Sequence, residues 1–168
     1  MDATAVTALN DLLTSQIASG SALLEALETE KSALTGFDVS ALEATTVVKE
    51  RLATQFEQLD LERRRLMASV GFGPDRNDML RLIRAVEDPN YHDDAKKAGP
   101  LATRWRRLVA IAERCRDANE RNGQIVSMQS RRVTKTLNVL RTGRADDLTY
   151  GPAGRSAPGT AARAIGRV

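Results

Sequence analysis

From Leu101 to Leu140 one stripe recurs in steps of three and four residues: Leu101, Trp105, Leu108, Ala112, Cys115, Asn119, Asn122, Val126, Gln129, Val133, Leu137 and Leu140. That spacing holds all of them on one side of an α-helix, so the segment reads as a coiled-coil seam about 40 residues long. Two amides, Asn119 and Asn122, with Gly123 alongside, interrupt the stripe where core residues belong.

The rest of the sequence supplies helices to lie beside it. Between residues 3 and 35, Val6, Leu9, Leu13, Ile17, Leu24, Leu27 and Leu34 keep near-heptad spacing, weakened at Gly20. Thr35-Gly36-Phe37-Asp38 then supplies a stop and a start. Gly36 is suited to the left-handed conformation after a helix end, and Asp38 to an N-cap. So short a connection sends the next helix, residues 39–70, back antiparallel to the first, with Leu42, Thr45, Leu52, Phe56, Leu59, Leu66 and Val70 on one face. Gly71-Phe72-Gly73-Pro74 ends it. A short helix is predicted over 77–86, then a loop through Asp88–Asp94, and Gly99-Pro100 opens the last helix over 100–141.

With aromatic residues at 4%, the core has to be built from Leu, Val, Ile and Ala, the usual filling of helix–helix packing. No segment argues for a strand. The sequence therefore predicts an all-α protein, an elongated antiparallel helical hairpin with a third long helix packed along it, over residues 1–142. Residues 143–168 hold Gly143, Gly151, Gly154, Gly159 and Gly166 with Pro152 and Pro158, and are expected to form a disordered tail. No signal peptide or membrane-spanning run is evident, and a single cysteine suits a reducing compartment, so a cytoplasmic location is expected.

Charge is distributed unevenly. Residues 1–70 carry 11 acidic and 6 basic side chains, net −5, whereas residues 100–141 carry 3 acidic and 10 basic, net +7. Segments of opposite charge that pack side by side need no external anionic partner. The arginines are spread around the last helix, and Trp105 is the one aromatic residue there to stack on a base, so nucleic-acid binding is not expected. Nothing has the makings of an active site, so no enzyme, cofactor or metal is expected. His92 is the sole histidine, Cys115 lies on the apolar stripe, and Gly71-Phe72-Gly73 lacks the lysine of a phosphate-binding loop.

Asn119-x-x-Asn122-Gly123, the amphipathic run to Leu137 and Leu140, then Gly143 and Tyr150-Gly151-Pro152-Ala153-Gly154 resemble the C-terminal signature of the FlgN family of flagellar export chaperones. SALLEALETEKSAL in the first helix and ERRRLMASVGFG at the end of the second are similar in kind to that family's opening. The resemblance implies a cytoplasmic chaperone of the flagellar type III secretion system. It would bind the hook-associated proteins FlgK and FlgL, prevent their premature assembly and deliver them to the export gate component FlhA. It also implies that clients bind the C-terminal part of the chain and that Tyr150, flanked by Gly151 and Gly154, docks to the gate.

Independently of the resemblance, the last helix extends beyond what arms of some 30 residues need cover. Val133, Leu137 and Leu140 are therefore expected to be less buried than Leu101 to Leu108, and able to anchor a helical client segment. The alternative is that they finish the intramolecular core. Asn119, Asn122 and Gly123 read as a structural polar layer, the amides fixing register and the glycine permitting close approach of a neighbouring helix. A structural or adaptor coiled coil with no secretion role is the competing class.

Overall fold

The computed structural model describes residues 3–87 and 99–142. Among these the regular structure is helical throughout: α1 (Ala3–Gly36), α2 (Val39–Ser69), α3 (Arg76–Val86) and α4 (Pro100–Thr142). By its contacts the chain divides into two units, Met1–Ser127 and Met128–Val168. The division falls inside α4. The loop around His92 and the glycine-rich segment from Gly143 onward lie outside the described residues.

In the first unit α1 and α2 form an antiparallel hairpin, with Glu30 beside Lys49 and Gly20 beside Phe56. The same backbone motif ends both helices. At the end of α1 the amide of Asp38 donates to Ala33 O (3.0 Å) and that of Phe37 to Leu34 O (3.4 Å); at the end of α2, Phe72 donates to Met67 O (2.9 Å) and Gly71 to Ala68 O (3.1 Å). Each pair of bonds is a Schellman closure, which puts one residue in the left-handed region. At the second turn it is Gly71 (φ 84°), but at the first it is Phe37 (φ 56°), whereas Gly36 remains the last helical residue. The expected glycine is thus one position too early. Phe37, 72% exposed, adopts a conformation in which its Cβ crowds its own carbonyl. Phe37→Gly is expected to raise the unfolding free energy by about 1 kcal/mol, read from the shift of a urea denaturation midpoint. A lowered midpoint would contradict the strain.

Side chains set the helix starts. Asp38 accepts from the Ala41 amide (2.9 Å) and Asp75 from the Asp78 amide (2.8 Å), so each aspartate occupies an N-cap. The cap of α4 comes from a distance. Glu87, just after α3, accepts from the amides of Leu101 (2.6 Å) and Ala102 (3.2 Å), placing a carboxylate where the helix dipole is positive.

The core gathers Leu9, Leu13 and Ile17 of α1, Met67 of α2, Met79, Leu82 and Ile83 of α3, and Leu101, Trp105, Leu108 and Ile111 of α4. The short α3 thus contributes three fully buried side chains to the common core. On α2 the expected face is mostly half-buried. Buried there are Leu52, Met67 and, unexpectedly, Arg63, whose guanidinium bonds Asp60 (2.7 Å) and lies over the Trp105 ring (5.2 Å). Burial of the Asp60 carboxyl pushes its pKa up, but the two arginines bonded to it, Arg63 and Arg64, outweigh that and hold it below the usual carboxylate value.

Along α1 and α4 the contacts advance together: Arg104 reaches Asn10 (3.1 Å) and Thr14 (3.2 Å), Cys115 faces the Gly20 carbonyl (3.4 Å), and Asn122 reaches Leu27 O (2.8 Å). The two helices therefore run parallel. The α4 stripe needs one correction. Leu101, Leu108, Cys115, Asn122 and Gln129 keep the expected seven-residue line, but beyond Trp105 the companion line falls three residues later instead of four. Ile111 and Ala118 are buried, whereas Ala112, Asn119 and Val126 are exposed. The sequence offers both lines, and Ile111-Ala118-Ile125 is the more apolar of the two, so its burial removes more surface from water.

Candidate docking surface on the last helix

The second unit contains the end of α4 as its described part, from Met128 to Thr142. Val133, Leu137 and Leu140 are 59%, 58% and 76% exposed, so in this structure they do not complete a core. Steps of four and three at about 100° per residue put them within a sector about 60° wide. Arg131 and Lys135, two residues to either side of Val133, stand about 160° away, on the back of the helix. After Glu120 the helix has no acidic residue.

The flanks of this row suit burial. Thr134 donates its hydroxyl to the Ser130 carbonyl (3.0 Å) and Thr136 to that of Arg132 (3.0 Å). A partner laid over the row would therefore leave these two donors satisfied, avoiding the cost of an orphaned polar group. What the arrangement offers chemically is an apolar ridge with a basic back, the form in which one amphipathic helix presents itself to another.

Of Asn119, Asn122 and Gly123, one is buried. Asn122 is 3% exposed, and its Nδ2 donates to Leu27 O (2.8 Å) and to Glu30 Oε2 (2.9 Å). Glu30 in turn pairs with Lys49 through its other oxygen (2.5 Å), so one carboxylate ties α1 to both α4 and α2. Asn119 is exposed instead, because it lies on the unburied companion line. Gly123 is exposed as well, and a Cβ built on it would meet nothing within 4 Å, so it admits no close helix approach there. Glu30 was legible in principle, since it falls three residues after Leu27 and four before Leu34, on the core stripe of α1. The charge contrast between hairpin and last helix is met in part by Arg121, 3.6 Å from Glu28.

Tyr150, Gly151 and Gly154 lie outside the described residues. Among the described residues no cluster of three His, Cys, Asp or Glu side chains is placed to hold a metal, and no helix is long and apolar enough to cross a membrane. Cys115 is half-buried, and burial pushes its thiol pKa up despite the neighbouring Arg114.

The family model described as FlgN protein matches residues 1–158. The chain belongs to the FlgN family. The crystal structure of a flagella synthesis protein FlgN from Pseudomonas aeruginosa is similar to it, with 28% sequence identity and a TM-score of 0.58 over 84% of this chain and 99% of that one. No curated protein matches the sequence. FlgN membership gives the chain a role in flagellar assembly, and the four-helix order described above is the scaffold that carries it.

Proposed function

We propose that this FlgN-family chain is a cytoplasmic export chaperone. It binds hook-associated proteins of the FlgK and FlgL type, holds them unassembled, and delivers them to the flagellar type III export gate. The observation that carries the reading is the exposed row Val133, Leu137 and Leu140 at the end of α4. An unassembled client has apolar helical surface that needs temporary cover, and a solvent-facing ridge of this spacing supplies it. Burying a leucine is worth roughly 1.5–3 kcal/mol, so three such anchors leave useful affinity after the ordering cost is met.

The reading predicts that the purified chain retains FlgK-type or FlgL-type proteins from its own organism on an affinity column. Absence of both from the bound fraction would leave the adaptor alternative in place. Delivery is assigned to Tyr150. A lone aromatic followed directly by Gly151 and Pro152 is suited to short-motif docking on a partner such as FlhA. Tyr150→Ala is expected to leave helical circular dichroism and client retention unchanged while secretion of the hook-associated proteins falls. Undiminished secretion would count against that role.

A further inference from the structure

A second unfilled surface lies between α1 and α4 in the first unit. Two adjoining open hollows there have volumes of about 620 and 570 Å³ and share Arg107 in their walls. Their linings follow helix-packing periods on both sides: Thr14, Ile17, Ser21, Leu24 and Glu28 from α1, in steps of three and four, and Thr103, Arg107, Ala110 and Arg114 from α4, in steps of four and three. This second heptad-spaced face borders the α3-containing core and shares Ile17 with it. A groove walled by two parallel helices, each showing such a face, has the form of a vacant helix position in a bundle.

The charges in the groove say what would fill it. Arg107 and Arg114 are both exposed, and neither hydrogen-bonds or ion-pairs with any described residue, unlike Arg104 and Arg121 on the same helix. Seven residues apart, they recur after about 10.5 Å on one wall. Across from them α1 presents hydroxyls at Thr14 and Ser21, while Glu28 is already engaged by Lys31 and Arg121. Glu25, on the same wall, has no partner, so the α1 side of the groove is acidic and the acidic edge of an occupant has to lie on the α4 side.

We infer that the α1/α4 groove is a docking site for an amphipathic helix of another protein, one edge of which carries acidic residues seven positions apart to meet Arg107 and Arg114. Its small apolar residues settle on Ile17, Leu24 and Ala110. The inference stands apart from the export reading, because it concerns a different surface. The exposed row of α4 in a second copy is a poor occupant, since its helix brings further arginines and no acid after Glu120.

The test uses the full chain and a labelled synthetic helix of about 20 residues, with Leu and Ala at heptad core positions and Glu at one flanking position of every heptad. Fluorescence anisotropy is expected to show binding, and replacing the Glu residues by Lys to weaken it about tenfold. Arg107→Glu with Arg114→Glu is expected to reverse that preference with the helical circular dichroism unchanged. Leu137→Ala with Leu140→Ala is expected to leave it intact, which separates this site from the ridge on α4. No binding, equal affinity for the two peptides, or a preference untouched by the double charge reversal would overturn the proposal. So would loss of the preference in the Leu137/Leu140 variant. Sedimentation supplies the remaining check: a self-associated wild-type chain made monomeric by Arg107→Glu with Arg114→Glu would assign the groove to a second copy, whose α2 carries Glu43, Glu50 and Glu57 at the same spacing, and would overturn the proposal too.

Discussion

Replacing Leu137 and Leu140 together by alanine is expected to weaken binding of a hook-associated client on the order of a hundredfold while moving the thermal midpoint by no more than a degree or two. The two halves of that expectation come from the same fact. Both side chains stand more than half exposed, so truncation removes little that the folded chain had buried. In a complex the same atoms are covered, and each leucine then loses apolar burial worth more than 1 kcal/mol; two such losses together correspond to about two decades in affinity. Titration calorimetry with purified client and a thermal melt of the free protein check the two halves separately. A large drop in melting temperature would mean that the leucines belong to the protein's own core in solution.

Asn122→Ala is expected to act in the opposite sense, lowering the unfolding free energy by about 2 kcal/mol. It removes two buried hydrogen bonds, one of them to the Glu30 carboxylate, and leaves that oxygen in a dry interface without its amide. The three-helix link through Glu30 and Lys49 is then held on one side only. Asn119→Ala, three residues away on the exposed line, is expected to change stability by less than about 0.5 kcal/mol. Urea unfolding of the pair provides the contrast. Equal losses for the two variants would mean that the asparagines share one environment, contrary to the burial seen here.

These two asparagines also mark how far the sequence reaches. The spacing of Leu9, Leu13 and Ile17, of Leu101 and Leu108, and the turn residues Asp38, Gly71 and Pro100 were enough to lay out four helices and their order, because periodicity and cap chemistry are local properties. Which of two neighbouring lines on α4 is buried was not legible. That choice is made by what α1 presents across the interface, where Gly20 leaves room for Ile111: a Cβ on Gly20 would stand 2.8 Å from Ile111 Cγ2. Gly20 accordingly reads as a weak point in the sequence and as a point of close approach in the structure. The left-handed residue at the hairpin turn went to Phe37 because the helix runs one residue further than the glycine suggested. Arg63 falls between Leu59 and Leu66 on the apolar face of α2, and the Trp105 ring and Asp60 explain how that position holds a guanidinium.

The candidate surfaces divide in the same way. Val133, Leu137 and Leu140 were legible as a row from their spacing, and their exposure is what the structure adds. The α1/α4 groove was not legible. It needs both helices side by side before Arg107 and Arg114 are seen to face a gap without partners.

Amide hydrogen exchange of the full chain, with and without a saturating hook-associated client, tests the central claim most directly. Residues 128–142 form a helix whose apolar side is open to water, so in the free protein their amides are expected to exchange early. Client binding is predicted to slow exchange across that segment while the core amides around Leu13, Met67 and Ile83 stay unchanged. A bound client that leaves residues 128–142 exchanging as fast as in the free protein would contradict the account.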